Sequence, residues 1–224
     1  MSGRAAAGGR LLRLPAALFR LAVRIVRLEI HIWVSLYRWV FRRPAPIPPG
    51  TLTFGYGAAA APLFWVFIGI SAVEIPILDL LLPTLTWRLV GLGLGLWGVL
   101  WMLGLLASMY VYPHLVGPAG VRIRSGFSVD HLIAWDEVAE VRVRREKLPG
   151  SRTVQLGDSP EGAALHVTIS SETTVQIVLS APRTGKMPKV GPTEIQVICA
   201  WTDDPAGFLA ATRENLLRAG AEIN

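Results

Sequence analysis

Residues 58–112 read AAAAPLFWVFIGISAVEIPILDLLLPTLTWRLVGLGLGLWGVLWMLGLLASMYVY. This stretch holds two apolar runs, at about 58–82 and about 89–112, and only residues 83–88 separate them. As an α-helix, each run is long enough to cross the ~30 Å hydrocarbon core of a bilayer. Because the connection is short, we predict that the two runs form an antiparallel transmembrane hairpin over residues 58–112.

The composition of the whole chain agrees with a membrane location. Of the 224 residues, 52% are hydrophobic and 17% are charged, and the mean hydropathy is +0.45. This balance is too apolar for an ordinary soluble domain, and it also argues against disorder. The single cysteine, Cys199, cannot form an internal disulfide, and no CxxC or Cys/His motif indicates a structural zinc. We therefore expect no metal site and no cofactor.

The positive charge is confined to the N-terminal quarter of the chain. Residues 1–61 contain nine arginines and one acidic residue, which gives +8, whereas residues 62–112 and residues 113–224 each carry −1. The near-neutral C-terminal half argues against a nucleic-acid partner, and an anionic membrane surface suits the arginine-rich segment better. Since arginines precede the first apolar run and follow the second, the positive-inside rule predicts a multi-pass plasma-membrane protein with both termini in the cytoplasm.

The arginines of residues 1–43 recur at a helical spacing. Successive basic side chains are 7, 4, 3, 4, 7 and 4 residues apart, which puts them within a stripe about 60° wide on a helix. The rest of the circumference is apolar. This pattern is typical of an amphipathic interfacial helix, with guanidinium groups on lipid phosphates and apolar side chains among the acyl chains. The residues of this arginine stripe are Arg13, Arg20, Arg24, Arg27, His31, Arg38 and Arg42.

Three other interpretations of residues 1–43 predict different patterns. A secretory signal peptide needs an uninterrupted apolar core, which the recurring arginines exclude. A spanning helix would place Arg20, Arg24 and Arg27 near mid-bilayer at ~2.5–3.5 kcal/mol each, so we reject spanning for this segment. An organellar transit peptide is also amphipathic, rich in arginine and poor in acidic residues, and this alternative stays open.

Two acidic residues lie inside the predicted hairpin. Asp79 is near the turn and can pair with Arg88 across it. Glu74 lies deeper, where an acidic side chain is costly and is a functional candidate by default. It could hydrogen-bond the indole of Trp97 or a carbonyl group that Pro76 frees. As an intramembrane acid, Glu74 is either a packing or assembly element or a proton carrier.

Prolines and glycines set the connections of this half of the chain. The closely spaced prolines of residues 44–57 favour an extended linker.

In the second apolar run, Gly91 and Gly95 form a small-xxx-small pair, which lets a neighbouring helix approach closely. That neighbour is either the first run or a second copy of the chain, so the Gly91/Gly95 face is a candidate homo-oligomer contact.

Beyond residue 112 the pattern changes to alternating apolar and polar residues with turn signals. Residues 113–224 are predicted to form seven short strands, followed by a helix that begins after the cap cluster at 202–205. This order is typical of a small antiparallel sandwich or barrel with a closing helix, and the chain as a whole is predicted to be α+β. The seven predicted strands cover residues 121–124, 129–134, 138–144, 153–156, 164–169, 175–179 and 195–201.

Two segments of this C-terminal domain carry a family resemblance. Residues 120–146, GVRIRSGFSVDHLIAWDEVAEVRVRRE, are similar to the first strands of bacterial pleckstrin-homology-like (PH-like) domains, and residues 201–216, WTDDPAGFLAATRENL, resemble their closing helix. The chain looks like an actinobacterial-type integral membrane protein with a cytoplasmic PH-like domain. The resemblance implies a seven-stranded antiparallel PH-like β-barrel or sandwich over residues 113–224. The turn after Arg124 is short, unlike the long basic first loop of phosphoinositide-binding members.

Basic side chains alternate along two of the predicted strands. Arg122 and Arg124 alternate on one strand and Arg142 and Arg144 on another, so both strands can present guanidinium groups on one face. This face is either a solvated surface balanced by nearby glutamates or a ligand or partner face that contacts phosphates of the anionic inner leaflet. The acid-free loop of residues 181–192 is a second candidate contact.

The sequence contains no recognisable catalytic constellation. His114, His131 and His166 are far apart, and none stands at a known spacing from a nucleophile or carboxylate. Cys199 is predicted to be buried and inert. We therefore expect a non-enzymatic protein. The leading hypothesis is a membrane-anchored PH-like binding or scaffold module at the cytoplasmic face of the plasma membrane; the alternative is a small transport or membrane-complex assembly subunit that uses Glu74.

Overall fold

The computed structural model describes residues 13–126, 128–187 and 191–223, so residues 1–12 of the predicted interfacial segment lie outside the described residues. The described chain is α+β, as predicted. Its helices are α1 (Arg13–Val40), α2 (Ala61–Leu81), α3 (Leu85–Val111) and α4 (Pro205–Ile223), with a 3₁₀ turn at Trp135–Glu137. Its strands are β1 (Leu52–Phe54), β2 (His114–Gly117), β3 (Gly120–Ser125), β4 (Val129–Ile133), β5 (Val138–Lys147), β6 (Val154–Ser159), β7 (Gly162–Val167), β8 (Glu172–Met187) and β9 (Gly191–Ala200).

Helices α2 and α3 occupy the two predicted apolar runs and form a hairpin. Both are long and apolar enough to cross a membrane. A Cβ atom at Gly95 would lie 2.6 Å from Cγ1 of Ile75, and one at Gly91 would lie 3.1 Å from a Leu82 methyl group. The Gly91/Gly95 face is thus packed against α2 of the same chain. At the turn, Nε of Arg88 donates to the carbonyl oxygen of Leu82 at 2.9 Å, and among the described residues Arg88 forms no ion pair with Asp79.

The strands form two sheets that share one core. The first sheet has the order β1-β2-β3-β4 and the second has the order β5-β8-β9-β7-β6. Buried aliphatic side chains such as Ile123 and Ile133 from the first sheet meet Leu165 and Ile177 from the second. Helix α4 closes this core with Phe208, whose ring packs edge-on against Phe54 of β1 at 5.3 Å between centroids. The N-cap prediction for this helix is confirmed, because the Asp204 carboxylate accepts from the Gly207 N–H at 2.9 Å.

The prediction of seven antiparallel strands in a barrel or sandwich needs three corrections. The described residues contain nine strands rather than seven, they form two sheets rather than a closed barrel, and β7 pairs with β9 in parallel. The extra strands are β1 and β2. Each is only three or four residues long and lies beside prolines, so neither shows the alternation over which a strand is recognised in sequence.

The segment predicted as a linker, residues 44–57, is built into the sheet in its second half. Strand β1 pairs antiparallel with β2, which places Phe54 opposite His114. The Gly126 N–H donates to the Tyr56 hydroxyl at 2.6 Å, and the Ala58 N–H donates to the Asp203 carboxylate at 3.1 Å. Both ends of the α2–α3 hairpin are therefore bonded to the β domain.

Candidate functional site

The C-terminal end of α1 brings two arginines of the arginine stripe to one groove. Arg42 has a φ of 50°, and the Arg43 N–H donates to the Arg38 carbonyl at 2.8 Å, while the Arg42 N–H donates to the Trp39 carbonyl at 3.2 Å. These two bonds form a Schellman motif, and Pro44 prevents the helix from continuing. This termination turns the chain at the point where Arg38 and Arg42 emerge.

The groove lies between this helix end and the end of α3. Its walls include Arg38 and Arg42 on one side and Tyr110 on the other, with the ring of Trp39 stacked 6.5 Å from that of Tyr110. Arginine, tryptophan and tyrosine side chains all favour the headgroup region of a bilayer. We call this feature the surface groove.

Helix α1 is held against α3 by an acidic residue and a close approach. The Glu29 carboxylate accepts from the indole N–H groups of Trp33 at 3.1 Å and Trp101 at 2.9 Å. One turn further along both helices, a Cβ atom at Gly104 would lie 2.5 Å from Cγ2 of Ile32. The residue numbers of the contacts rise together along the two helices, so this part of α1 runs parallel to α3. Glu29, which lies outside the arginine stripe, is therefore an anchor between helices.

The arginine stripe lies to one side of this contact. Ile32 and Ser35 are buried against the protein, while apolar side chains such as Phe19, Ile30 and Phe41 are exposed on a third side. Helix α1 thus has a packed side, a basic side and an exposed apolar side. Of the predicted membrane-binding arginines, Arg13 lies in α1 without a described side chain, Arg38 is half-buried, and the exposed ones are Arg20, Arg24, Arg27 and Arg42.

The four arginines predicted to share one face of the β domain do not share one. Arg122 and Arg124 lie on β3 and Arg142 and Arg144 on β5, which belong to different sheets. Arg122 forms a two-bond ion pair with Asp130 at 2.5 and 2.7 Å. The alternation along each strand could not predict whether the two arginine pairs lie on one face, because the order of the strands in the sheets decides which faces coincide.

The remaining members of that set have separate environments. Arg142 pairs with Glu161, and Arg144 is exposed. Arg124 is buried, and its Nε lies 3.6 Å from the Asp130 carboxylate that also binds Arg122, although neither Nε nor Nη1 makes a hydrogen bond among the described residues. In the second predicted contact, residues 181–192, Arg183 pairs with Glu137 at 3.2 Å. Lys186 has no described side chain, and Lys189 lies outside the described residues.

A buried histidine marks the junction between the α2–α3 hairpin and the β domain. The Arg124 backbone N–H donates to Nδ1 of His114 at 3.0 Å, and Nε2 lies 2.8 Å from the carbonyl oxygen of Trp201. Since Nδ1 accepts, the ring is neutral with its proton on Nε2. Burial lowers the pKa of His114 to about 4 and raises the pKa of the neighbouring Tyr56 to about 12. The site is thus built for uncharged rings.

Glu74 is exposed on the outer surface of α2. Among the described residues it makes no hydrogen bond and no ion pair, so neither Trp97 nor a carbonyl freed by Pro76 is its partner here. The adjacent Ile75, by contrast, faces α3. The carboxyl group therefore points away from the hairpin's own packing surface.

The second sheet gathers three residues of metal-ligand type that sequence analysis kept apart. Glu146 of β5, His166 of β7 and Cys199 of β9 bring a carboxylate oxygen, a ring nitrogen and Sγ within 4.8 Å of one another. His166 and Cys199 are buried and Glu146 is half-buried. Burial raises the pKa of the Cys199 thiol to about 12, and the neighbouring Glu146 carboxylate adds to that rise. The burial predicted for Cys199 is confirmed.

The curl of the sheet explains why these residues meet. Gln176 of β8 bonds to the Ser159 hydroxyl at 3.0 Å, and Arg142 of β5 bonds to Glu161, so opposite parts of the sheet touch across its concave side. His166 and Cys199 are direct partners in the parallel β7–β9 pair.

No sequence motif could have found this cluster. Its members are separated by 20 and 33 residues, and only the parallel pairing and the curl bring them together. The one signal in the sequence was compositional, since His166 is the polar residue of a strand, β7, that is otherwise apolar. Comparisons of the chain with protein-family models, with curated proteins and with solved structures find no match.

Proposed function

We propose that this chain is a membrane-anchored binding module. The α2–α3 hairpin spans the plasma membrane, Arg38 and Arg42 at the end of α1 contact the anionic cytoplasmic leaflet, and the β domain is held beside that leaflet as a non-enzymatic PH-like platform. A PH-like architecture is supported by two sheets around one core and by a closing C-terminal helix.

The observation that carries the proposal is the exposure of the apolar helices. Only 6% of the most apolar stretch of α2 and 11% of that of α3 are buried within the protein. The core helix of a soluble protein would be mostly buried, because water disfavours apolar surface. Side chains such as Leu80 and Leu85 are instead 80% and 71% exposed. A bilayer supplies the apolar surroundings that these helices lack.

The surface groove supports contact with the cytoplasmic leaflet. Arg38 and Arg42 lie next to Trp39 and Tyr110, which combines charge for lipid phosphates with rings suited to headgroup depth. The arginine stripe adds exposed guanidinium groups along α1. We therefore assign the C-terminal end of α1, with Arg38, Arg42 and the surface groove, to binding anionic lipid headgroups. Because α1 runs parallel to α3 where the two helices pack, the predicted orientation of α1 in the plane of the leaflet does not fit a spanning α3.

Topology is the direct test of this proposal. We expect reporter fusions at Asn224 and within residues 83–88 to report opposite sides of the membrane, with Asn224 in the cytoplasm, because the arginines flank the hairpin on the N-terminal and C-terminal sides. Paired reporters, one active only in the cytoplasm and one only outside it, provide the control. An external Asn224, or both sites on one side, would rule out the proposed arrangement.

A second candidate function rests on the exposure of Glu74. A carboxyl group within a span and without a partner among the described residues of its own chain is costly in hydrocarbon. A second protein that covers this side of α2 would remove that cost. The chain would then be an assembly or transport subunit of a membrane complex.

Replacement of Glu74 by glutamine distinguishes the two functions. Glutamine keeps the shape but cannot ionise, so the binding-module proposal predicts no change in the size of the complex extracted by a mild detergent. Asp79→Asn, a matched change near the turn of the same hairpin, is the control. A smaller complex with Glu74→Gln alone would favour the assembly function over the module.

A further inference from the structure

We propose that Glu146, His166 and Cys199 form a binding site for one divalent metal ion of the zinc class, inside the curl of the second sheet. The inference concerns the β domain alone and does not depend on the membrane function proposed above. It starts from three donor atoms of different chemistry that lie within 4.8 Å of one another.

The backbone fixes two of the three donors. His166 and Cys199 are register partners on β7 and β9, in the middle of the sheet. Glu146 follows an irregularity in the pairing of β5 with β8, between Val143 and Glu146. An irregularity of this kind re-aims a side chain, and such features often occur at functional sites. Two rigid donors and one longer, half-buried donor can close around an ion.

The second observation is an unpartnered atom. Nδ1 of His166 is buried, and it has no hydrogen-bond partner among the described residues. The other nitrogen, Nε2, faces Gly157, where even a Cβ atom would lie 2.9 Å away. A buried ring nitrogen without a partner loses hydrogen bonds that it would make in water. A metal ion on this ring would supply the missing interaction.

The donor set indicates the class of ion. Thiolate, imidazole and carboxylate are all zinc ligands, at ~2.0–2.3 Å from the metal, so that bound donor atoms are about 3.3–3.8 Å apart. To bring the donor atoms from 4.8 Å apart to these distances requires a movement of about 1 Å. Calcium and magnesium prefer oxygen ligands, which this set does not supply in number. Three protein ligands leave a fourth tetrahedral position for water or another small ligand.

The charges near the cluster are compatible with a bound cation. Binding releases the thiol proton, so a divalent ion is balanced by the Cys199 thiolate and the Glu146 carboxylate. Arg142 and Arg144 lie close enough to influence the thiol, and Arg142 is itself paired with Glu161. The ion therefore enters a site whose charges are nearly neutralised.

Cobalt(II) titration of the detergent-solubilised full chain tests the proposal. Because Cys199 is the single cysteine, a sulfur-to-cobalt charge-transfer absorption reports this site alone. We expect the absorption to saturate at one ion per chain and to disappear when zinc is added. Absence of the band at saturating cobalt would overturn the proposal.

Ligand variants and matched controls sharpen the test. Cys199→Ala should abolish the band, and His166→Gln or Glu146→Gln should weaken binding by more than the roughly 10- to 100-fold that loss of an outer hydrogen-bond partner costs. The controls are His131→Gln and Glu140→Gln, which change a histidine and a strand β5 glutamate outside the cluster. Unchanged affinity in both ligand variants would contradict the assigned site.

X-ray absorption of the zinc-loaded wild-type protein keeps the test independent of variant folding. One sulfur at ~2.3 Å and nitrogen or oxygen ligands at ~2.0–2.2 Å are expected. A shell without sulfur would place the metal elsewhere and overturn the proposal.

Discussion

Replacement of Gly104 by leucine is expected to release α1 from α3. A Cβ atom at this position would lie 2.5 Å from Cγ2 and 2.8 Å from the backbone oxygen of Ile32, so the helices themselves must separate. Separation also breaks the hydrogen bond from Trp101 to the Glu29 carboxylate. We expect a cost of about 3 kcal/mol or more, which lowers the apparent melting temperature in detergent by about 10 °C.

The matched control for this change is Gly93→Leu. Gly93 lies on the same helix, and a Cβ atom there would meet nothing within 4 Å. The control should melt like the wild-type protein, while Gly104→Leu should also expose the half-buried Arg38 to faster trypsin cleavage, because Tyr110 no longer stands beside Trp39. Equal melting and equal cleavage for both variants would show that the α1–α3 contact contributes little to stability.

Replacement of His114 by phenylalanine is the second change with a large expected effect. Phenylalanine keeps a ring against Tyr56, but it leaves the Arg124 N–H and the Trp201 carbonyl without their partner. A buried polar group left unpaired costs ~1–3 kcal/mol, so we expect a loss of about 2–6 kcal/mol at pH 7.

The pH dependence gives this prediction a specific signature. The pKa of His114 is about 4 in the folded protein because the ring is buried, and it is about 6.5 in the unfolded chain. Between these values the unfolded chain binds the extra proton, so stability falls as the pH is lowered from about 6.5 to about 4, by about 3 kcal/mol in total. The difference in the free energy of unfolding between the wild-type protein and His114→Phe should therefore decrease as the pH is lowered across this window. A constant difference from pH 7 to pH 4 would mean that His114 does not titrate as its burial implies.

The helices and most strands could be predicted because their signals are local. The apolar length of α2 and α3, and the alternation along strands such as β3 and β4, are properties of single segments. Strands β1 and β2 are too short to show a period, and they exist because they pair with each other across the hairpin. Local patterns therefore located the elements but not their complete number.

The candidate sites depended on tertiary structure to a greater degree. The surface groove could be anticipated in part, because Arg38 and Arg42 belong to a stripe that is visible in sequence. The partner of Glu29 could not, since Trp101 is 72 residues away. The cluster at Cys199 requires one parallel strand pair and a curled sheet, and neither has a sequence signature. A site formed by residues on strands that are distant in sequence cannot be predicted from residue spacing.

The pairing of β1 with β2 makes the apolar α2–α3 hairpin an insertion. Phe54 and His114 are opposite one another in the ladder, so the chain leaves the β domain and re-enters it at adjacent points, where a tight turn of two to five residues would normally suffice. The folding unit is consequently discontinuous in sequence: residues 113–224 alone lack an edge strand and the tyrosine that bonds to Gly126. A soluble form of the domain would keep residues 51–57 and join them to residue 113 by a short turn, which removes the hairpin without opening the sheet.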